Sequence, residues 1–346
     1  MNASTERLGV LLLGCGVASR THSRVLRRIG GVELFYASRD AERAEVYRRR
    51  YGGRRAFGSY SDALAEPRVD VALVATPTVT HRALTVEALK AGKHVIVEKP
   101  AFMHSCDADA VREIAAIVGR QVFVAENYAY KPLADHLRRS IQDGDLGEIR
   151  FVGINATKRR RADGWRGEPA TSGGGALFEG GVHWVSFAAN LGLEVEDVRG
   201  YRAGPVDDPE RSTLVVFQYV GGAVGTLAHS WELAAPFGGL RLSKVQGTLG
   251  AVTFESNGLA AVTTGRHRSI RLFASNDPFG YHGMLTDFMN AVRSGNPPRF
   301  TLDMAQRDLQ LLEKAERCHS ERGCHSERAQ PGAHGTWADE ESLASR

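Results

Sequence analysis

A short apolar run, Leu8 to Leu13, breaks into Gly14-Cys15-Gly16-Val17-Ala18-Ser19 and restarts at helical spacing through Val25, Leu26 and Ile29. Strand, glycine turn, helix narrows the choices sharply, because a buried strand that leaves its sheet this way is normally returned by a crossover helix to a parallel neighbour. The same return recurs downstream. Val32 to Ala37 reads as a strand, Asp40 to Tyr51 as a helix, Val69 to Ala75 as a strand, and Thr80 to Ala91 as a helix. Val95-Ile96-Val97 is again a strand, Asp107 to Val118 a helix, and Gln121 to Ala125 a strand. This alternation, with five strands placed and room for a sixth, predicts an α/β unit built on a doubly wound parallel sheet over residues 1–126.

The first turn carries chemistry. Gly14 suits the tight bend, Gly16 lets the backbone come close to a pyrophosphate, and the helix that follows offers free amides and the positive end of its dipole. Gly14, Cys15, Gly16, Val17 and Ala18 are therefore the expected cradle of a dinucleotide. Ser19 stands where the pattern has its third glycine, so a plain tight turn explains the same letters; the alternation around it favours the cofactor. After the second strand comes Ser38-Arg39, with Arg43 one turn on. A hydroxyl and guanidinium bind a 2′-phosphate that a carboxylate would repel, so NADP is expected, with NAD as the alternative. Ser38 and Asp40 also fit the role of helix caps. Thr76-Pro77, with His81 beyond, form another wall of the groove, although His81 equally fits a surface residue at a helix start.

The strand Val95-Ile96-Val97 ends abruptly in Glu98-Lys99-Pro100. Ligands of open parallel sheets sit beyond the carboxyl ends of the strands, which places Lys99 where cofactor and substrate would meet. Pro100 restrains the backbone there, the Lys99-Pro100 bond is a candidate cis peptide, and Glu98 is placed to orient Lys99.

Beyond Glu126-Asn127 the pattern changes to a helix over Leu133 to Gln142 and then to alternating segments: Ile149 to Thr157, Val195 to Ala203, Ser212 to Val220, Ala223 to Trp231, Arg241 to Gln246, Ala251 to Phe254 and Ile270 to Phe273. Alternation, with Gly221-Gly222 between two segments, predicts an α+β domain over 127–316 with a large open, mainly antiparallel sheet, suited to cover a substrate or form an oligomer face. Within it, Gly173-Gly174-Gly175 leads into a helical pattern that sets Glu179 and His183 on one face at i and i+4. Such a pair can share a proton or orient a hydroxyl; a core histidine held by a neighbouring acid fits as well. Gly180-Gly181 inside that helix implies the close approach of another group. Trp165 offers an apolar face for a sugar ring, and Arg166 with part of Lys158 to Arg161 offers charge for an anionic group, unless that run is a solvated loop. Helices over Gly280 to Arg293 and Thr301 to Arg317 are expected to close the second domain. Residues 317–346 repeat Cys-His-Ser-Glu-Arg and read as a disordered tail; its two Cys-His pairs lie in a polar stretch without a core, so no metal site is expected.

At 346 residues the chain is long enough for two cores, and a net charge of +4 with 24% charged residues is ordinary. Arg48-Arg49-Arg50 is interleaved with Glu42 and Glu45, the mark of a solvated helix face rather than of nucleic-acid binding. No apolar run is long enough to cross a membrane, the first residues are polar and do not read as a signal peptide, and the four cysteines are scattered, so a cytoplasmic protein is expected.

In combination, GCGVAS, TPTVTH, EKP and GGGALFEGGVH stand in the order found in the glucose-fructose oxidoreductase, inositol dehydrogenase and MocA-like family, which the chain resembles over roughly residues 7 to 316. The resemblance implies a Rossmann domain, a C-terminal domain with an open sheet, a nicotinamide cofactor, a sugar, polyol or related substrate, and a homo-oligomer, dimer or tetramer, formed through the C-terminal sheet. Lys99 and His183 match the family's catalytic lysine and histidine, and Glu179 stands where members commonly carry aspartate. Glu98 and Asn127, at the ends of the fifth and sixth strands, complete the cofactor set. The expected chemistry is hydride transfer, with Lys99 exchanging the hydroxyl proton and His183 positioning the oxygen. Two rivals share the pattern. Glycoside cleavage through transient oxidation would release sugar with no net change in cofactor absorbance, and a dinucleotide-sensing binding module would need neither Lys99 nor His183.

Overall fold

The computed structural model describes residues 7–160, 172–205, 209–266, 268–273 and 277–328. The first half runs β1 (Leu8–Leu13), α1 (Val17–Ile29), β2 (Val32–Ala37), α2 (Ala41–Tyr51), β3 (Arg55–Phe57), α3 (Tyr60–Leu64), β4 (Val71–Val74), α4 (His81–Lys90), β5 (His94–Val97), α5 (Asp107–Val118) and β6 (Val122–Val124). The six strands pair in parallel in the order β3-β2-β1-β4-β5-β6. Reversal of strand order between β1 and β4 opens a crevice at their carboxyl ends. Continuous apolar runs form the middle strands because helices cover both faces: all of β4 is buried, and so are Val95, Ile96 and Val97. α2 shows the local signals that bound these helices, with Asp40 accepting the Arg43 amide at 3.1 Å at one end and Gly52 in the left-handed region at the other.

The second half comprises α6 (Pro132–Gln142), β7 (Ile149–Thr157), a single π-helical turn (Leu177–Gly181), α7 (Val182–Ala189), β8 (Val195–Ala203), β9 (Ser212–Tyr219), β10 (Val224–Ser230), β11 (Leu242–Gly247), β12 (Gly250–Glu255), β13 (Ala260–Gly265), β14 (Ser269–Leu272), α8 (Tyr281–Ser294) and α9 (Leu302–Arg328). Its eight strands lie in the order β14-β13-β12-β11-β7-β10-β9-β8, antiparallel throughout except where β10 joins β7. The β9–β10 hairpin closes over Val220, Gly221 and Gly222, the Tyr219 amide donating to the Ala223 oxygen at 2.9 Å, and both glycines take positive φ. One face is packed on α6, α7 and α9. The other exposes Phe151, Leu242 and Ile270.

The structure departs from the expectations in four places. β3, the edge strand that completes the six, was not placed from the sequence, since three residues are too short to show a pattern. β13 was not anticipated, since Ala260-Ala261-Val262-Thr263-Thr264-Gly265 has few large apolar residues to announce a strand. α8 does not close the second domain: Met284, Leu285, Phe288 and Met289 lie in the core of the parallel sheet, and Phe288 stacks on Phe123 of β6 at 5.0 Å between centroids. α9 touches both cores, Leu302 and Met304 beside the first and Leu309 and Leu312 within the second. It also runs on to Arg328, through both Cys-His-Ser-Glu-Arg repeats, where the sequence suggested a structureless tail from 317; helix formers in the repeats extend the last turns. Residues 329–346 of that expected tail lie outside the described residues.

Candidate active site

A cleft of about 310 Å³ runs along the carboxyl ends of β1, β2, β4 and β5. At one end stands the glycine turn. Gly14 has φ +94°, and a Cβ there would lie 2.9 Å from the Ala75 carbonyl oxygen, so only glycine fits. Gly16 differs: nothing lies within 4 Å of where its Cβ would stand, which leaves the backbone open towards the cleft. α1 begins there without a side-chain cap and without an acidic residue in its first turn, so its dipole faces the cleft uncompensated. This arrangement fits the diphosphate of a dinucleotide. Cys15, Val17 and Ala18 line the same end. Ser38, Arg39 and Arg43 form its outer wall, both arginines exposed. Asp40 caps α2, whereas Ser38 is not a cap: its hydroxyl accepts the Asp40 amide at 3.2 Å in the turn ahead of the helix, and both guanidiniums are left available.

The opposite wall is Thr76, Pro77 and His81. His81 is not a surface residue. It is buried, with Nδ1 2.9 Å from the Pro100 oxygen and Nε2 2.9 Å from the Thr76 oxygen, and it ties the segment after β4 to the segment after β5; burial lowers its pKa against the pull of these carbonyls.

At the other end β5 delivers Glu98 and Lys99, and the Lys99-Pro100 bond is cis as anticipated. The Lys99 ammonium donates to the backbone oxygen of Glu179 at 2.8 Å, and the Lys99 amide donates to Glu98 Oε2 at 3.1 Å. Glu98 also contacts Nε2 of the buried His22. Burial works to raise the Glu98 pKa, but the His22 hydrogen bond and the charges of His22, Lys99 and His183 outweigh it and bring the carboxyl down to about 2.

His183 is the second residue of α7, just after the π turn. Glu179 and His183 do not pair with each other, contrary to the simple helical spacing. The π turn shifts the register of i and i+4, and each side chain finds a different partner. Glu179 Oε2 accepts from Arg160 at 3.2 Å, whereas His183 Nδ1 lies 2.8 and 2.9 Å from the two oxygens of Glu126. The glycines of this turn admit neighbours: a Cβ on Gly180 would lie 3.0 Å from the Trp231 indole, the close approach that the glycine pair implied. His183 is electrostatically coupled to Lys99 and Glu98, and burial lowers its pKa, with Glu126 opposing.

Four residues of this region escaped the sequence reading. Glu126 receives His183, Tyr128 stacks on the His183 ring at 4.5 Å and 10°, and Lys131 stands 3.5 Å from the Tyr128 centroid. Lys131 is buried, which pulls its pKa down to about 7. Arg241 is buried over Trp184. A signal for Glu126 existed, since β6 ends in a glutamate as β5 does, and each of these carboxylates takes a histidine. Neither His183 nor Asn127 is among the residues lining the cleft; the Asn127 amide donates to the Phe279 oxygen at 2.7 Å. Trp165 and Arg166 lie outside the described residues. Among the described residues no group of His, Cys, Asp or Glu is arranged to hold a metal, and no helix is long and apolar enough to cross a membrane. Arg48 and Arg49 pair with Glu45, as expected of a solvated face.

Comparison with known proteins matches residues 8–126 to the GFO_IDH_MocA oxidoreductase family with an NAD-binding Rossmann fold, and residues 135–253 to the GFO/IDH/MocA C-terminal domain. Among curated relatives, the trans-1,2-dihydrobenzene-1,2-diol dehydrogenase of Oryctolagus cuniculus is 32% identical over 207 residues, 56% of this chain and 59% of that protein. The 4-carboxy-2-hydroxymuconate-6-semialdehyde dehydrogenase of a Sphingobium species is 27% identical over 66% of this chain and 74% of its own length. Among solved structures, GenD2 from gentamicin A biosynthesis, in complex with NAD, aligns with a TM-score of 0.78 and 26% identity over 92% of this chain and 95% of that one. The aldose-aldose oxidoreductase of Caulobacter crescentus, with a TM-score of 0.82 at 23% identity over 91% of this chain and 98% of that one, shares the fold.

Proposed function

The chain belongs to the Gfo/Idh/MocA family of oxidoreductases, and we propose that it moves a hydride between NADP(H) and a hydroxyl- or carbonyl-bearing carbon of a sugar, polyol or related small molecule. The observation that carries this reading is convergence: one cleft has an open glycine turn at one end and, at the other, an amine bonded to the same helical segment that presents His183. Gly14 to Ala18 would hold the diphosphate, and Ser38, Arg39 and Arg43 the 2′-phosphate, since two exposed guanidiniums and a hydroxyl supply donors at that point. A bound nicotinamide supplies the hydride acceptor or donor.

The protein's own groups manage the proton. Lys99 spends one N–H on the Glu179 oxygen, which fixes the amine and leaves its other positions for the substrate oxygen. As the free amine it takes the carbinol proton as the carbonyl forms, and as the ammonium it returns that proton in reduction. Glu98, ionised beside it, holds the Lys99 backbone in place. His183, anchored through Nδ1, has Nε2 left to bind the reacting oxygen. Glu179 supports the site by its backbone oxygen and by its ion pair with Arg160. The exposed apolar row on the outer sheet face, Phe151, Leu242 and Ile270, supports assembly of copies through that face.

A panel of diols, sugars and polyols assayed with each nicotinamide cofactor tests the reading. Lys99→Ala is expected to lower kcat about 10²- to 10⁴-fold while leaving cofactor affinity near the parent value. Undiminished turnover by this variant would remove Lys99 from the chemistry.

A further inference from the structure

His183 is tied down on two sides. Its Nδ1 faces both oxygens of Glu126 at 2.8 and 2.9 Å, and its ring lies flat against Tyr128 at 4.5 Å. Glu126 is itself buried at the end of β6, where Oε1 also accepts the Tyr128 amide at 3.0 Å. A carboxylate only accepts hydrogen bonds, so Nδ1 is the nitrogen that carries hydrogen and Nε2 is left as an acceptor. Tyr128 in turn lies under the Lys131 ammonium, which fixes the plane of the phenol ring and, through it, the plane of the imidazole.

We propose that Glu126 is the positioning residue of this active site, acting through His183: it selects the imidazole tautomer and aims Nε2 at the reacting oxygen, whose proton passes to Lys99. The inference rests on the reading of His183 given above and deepens it. The charges that face His183 are Glu126 at the end of β6 and Glu98 and Lys99 after β5, with the Tyr128 phenol on the ring face. Glu126 and Glu98 favour the imidazolium, whereas Lys99 and burial oppose it. Glu126 is the acid among them that is hydrogen bonded to the ring, so its removal tips that balance most directly.

Glu126→Gln keeps the volume and an oxygen for the Tyr128 amide but removes the charge. We expect kcat to fall about 10- to 100-fold, KM for the cofactor to stay at the parent value, and the acidic limb of the pH profile of kcat/KM to move to lower pH, because the imidazolium has lost its counter-charge. Glu126→Asp should recover part of the rate and most of the profile. In a His183→Ala background the Glu126→Gln change should cost nothing further, the signature of two groups acting as a unit. A pH profile that superimposes on the parent's, or an undiminished Glu126→Gln effect without His183, would overturn the proposal while leaving His183 in its place. Full turnover by His183→Ala alone would instead overturn the parent reading.

Discussion

The two ends of the cleft are built on opposite principles. The glycine-turn end is made of backbone: Gly14 to Ala18 are consecutive, their work is done by amides, a helix dipole and the absence of side chains, and the charges nearby, Arg39 and Arg43, stand in solvent. The other end is made of side chains brought from far apart. Lys99 meets the Glu179 carbonyl 80 residues away, His183, four residues after Glu179 and outside the cleft lining, meets a carboxylate 57 residues away, and the acids involved are largely withdrawn from water. The first end is specified by local conformation and the second by tertiary packing, so their failures under mutation should differ in kind.

The contrast breaks most visibly inside the glycine turn. Gly14→Ala forces a side chain into a positive-φ position against the Ala75 oxygen and should cost about 2–4 kcal/mol of folding stability, read as a drop in Tm or in the denaturant midpoint. Gly16→Ala, into open space at φ −111°, should leave Tm nearly unchanged and weaken cofactor binding about tenfold or more, measured by cofactor fluorescence titration. If both variants behave alike, the open side of Gly16 has no bearing on the cofactor. A smaller effect is expected at the rim: Arg39→Ala should weaken NADP about tenfold and NAD hardly at all, with the difference shrinking at high salt. Equal effects on both cofactors would remove the 2′-phosphate from the reading. The smallest concerns the buried end. The Glu98 carboxyl titrates lower in the folded protein than its ordinary 4.5, so it stabilises the fold above that pH, and the contribution fades as pH falls towards 2. Thermal melts should give the parent an advantage of about 1 kcal/mol over Glu98→Gln at neutral pH, narrowing in acid. A constant gap would assign Glu98 a packing role only.

How much of this could be read from the letters follows the same division. The parallel sheet, its glycine turn, the cis peptide after Lys99 and the hairpin at Gly221-Gly222 were legible because each is written in adjacent residues whose conformational demands are strong. Much of the cleft wall was legible too, but Tyr60 and Thr78 line it without a signal in the sequence, and His183 and Asn127 do not line it, the Asn127 side chain being held by a carbonyl from the segment before α8. The pairing of Glu179 with His183 was misread because sequence spacing assumes a regular helix, and one π turn changes the partners. Glu126 and Lys131 were missed because a buried charge is recognisable only with its partner in view. α8 was assigned to the wrong core for a related reason: an amphipathic helix shows that it has an apolar face, not which surface receives it.

That misassigned helix has a consequence for how such proteins can be recombined. Residues 281–294 complete the floor beneath Phe123, so a fragment ending near 126 would carry a bare apolar strip where Phe288 belongs. Grafting this nucleotide-handling half onto a foreign catalytic partner would therefore require the late helix to travel with it, and the gene's halves are less interchangeable than the two separate sheets imply.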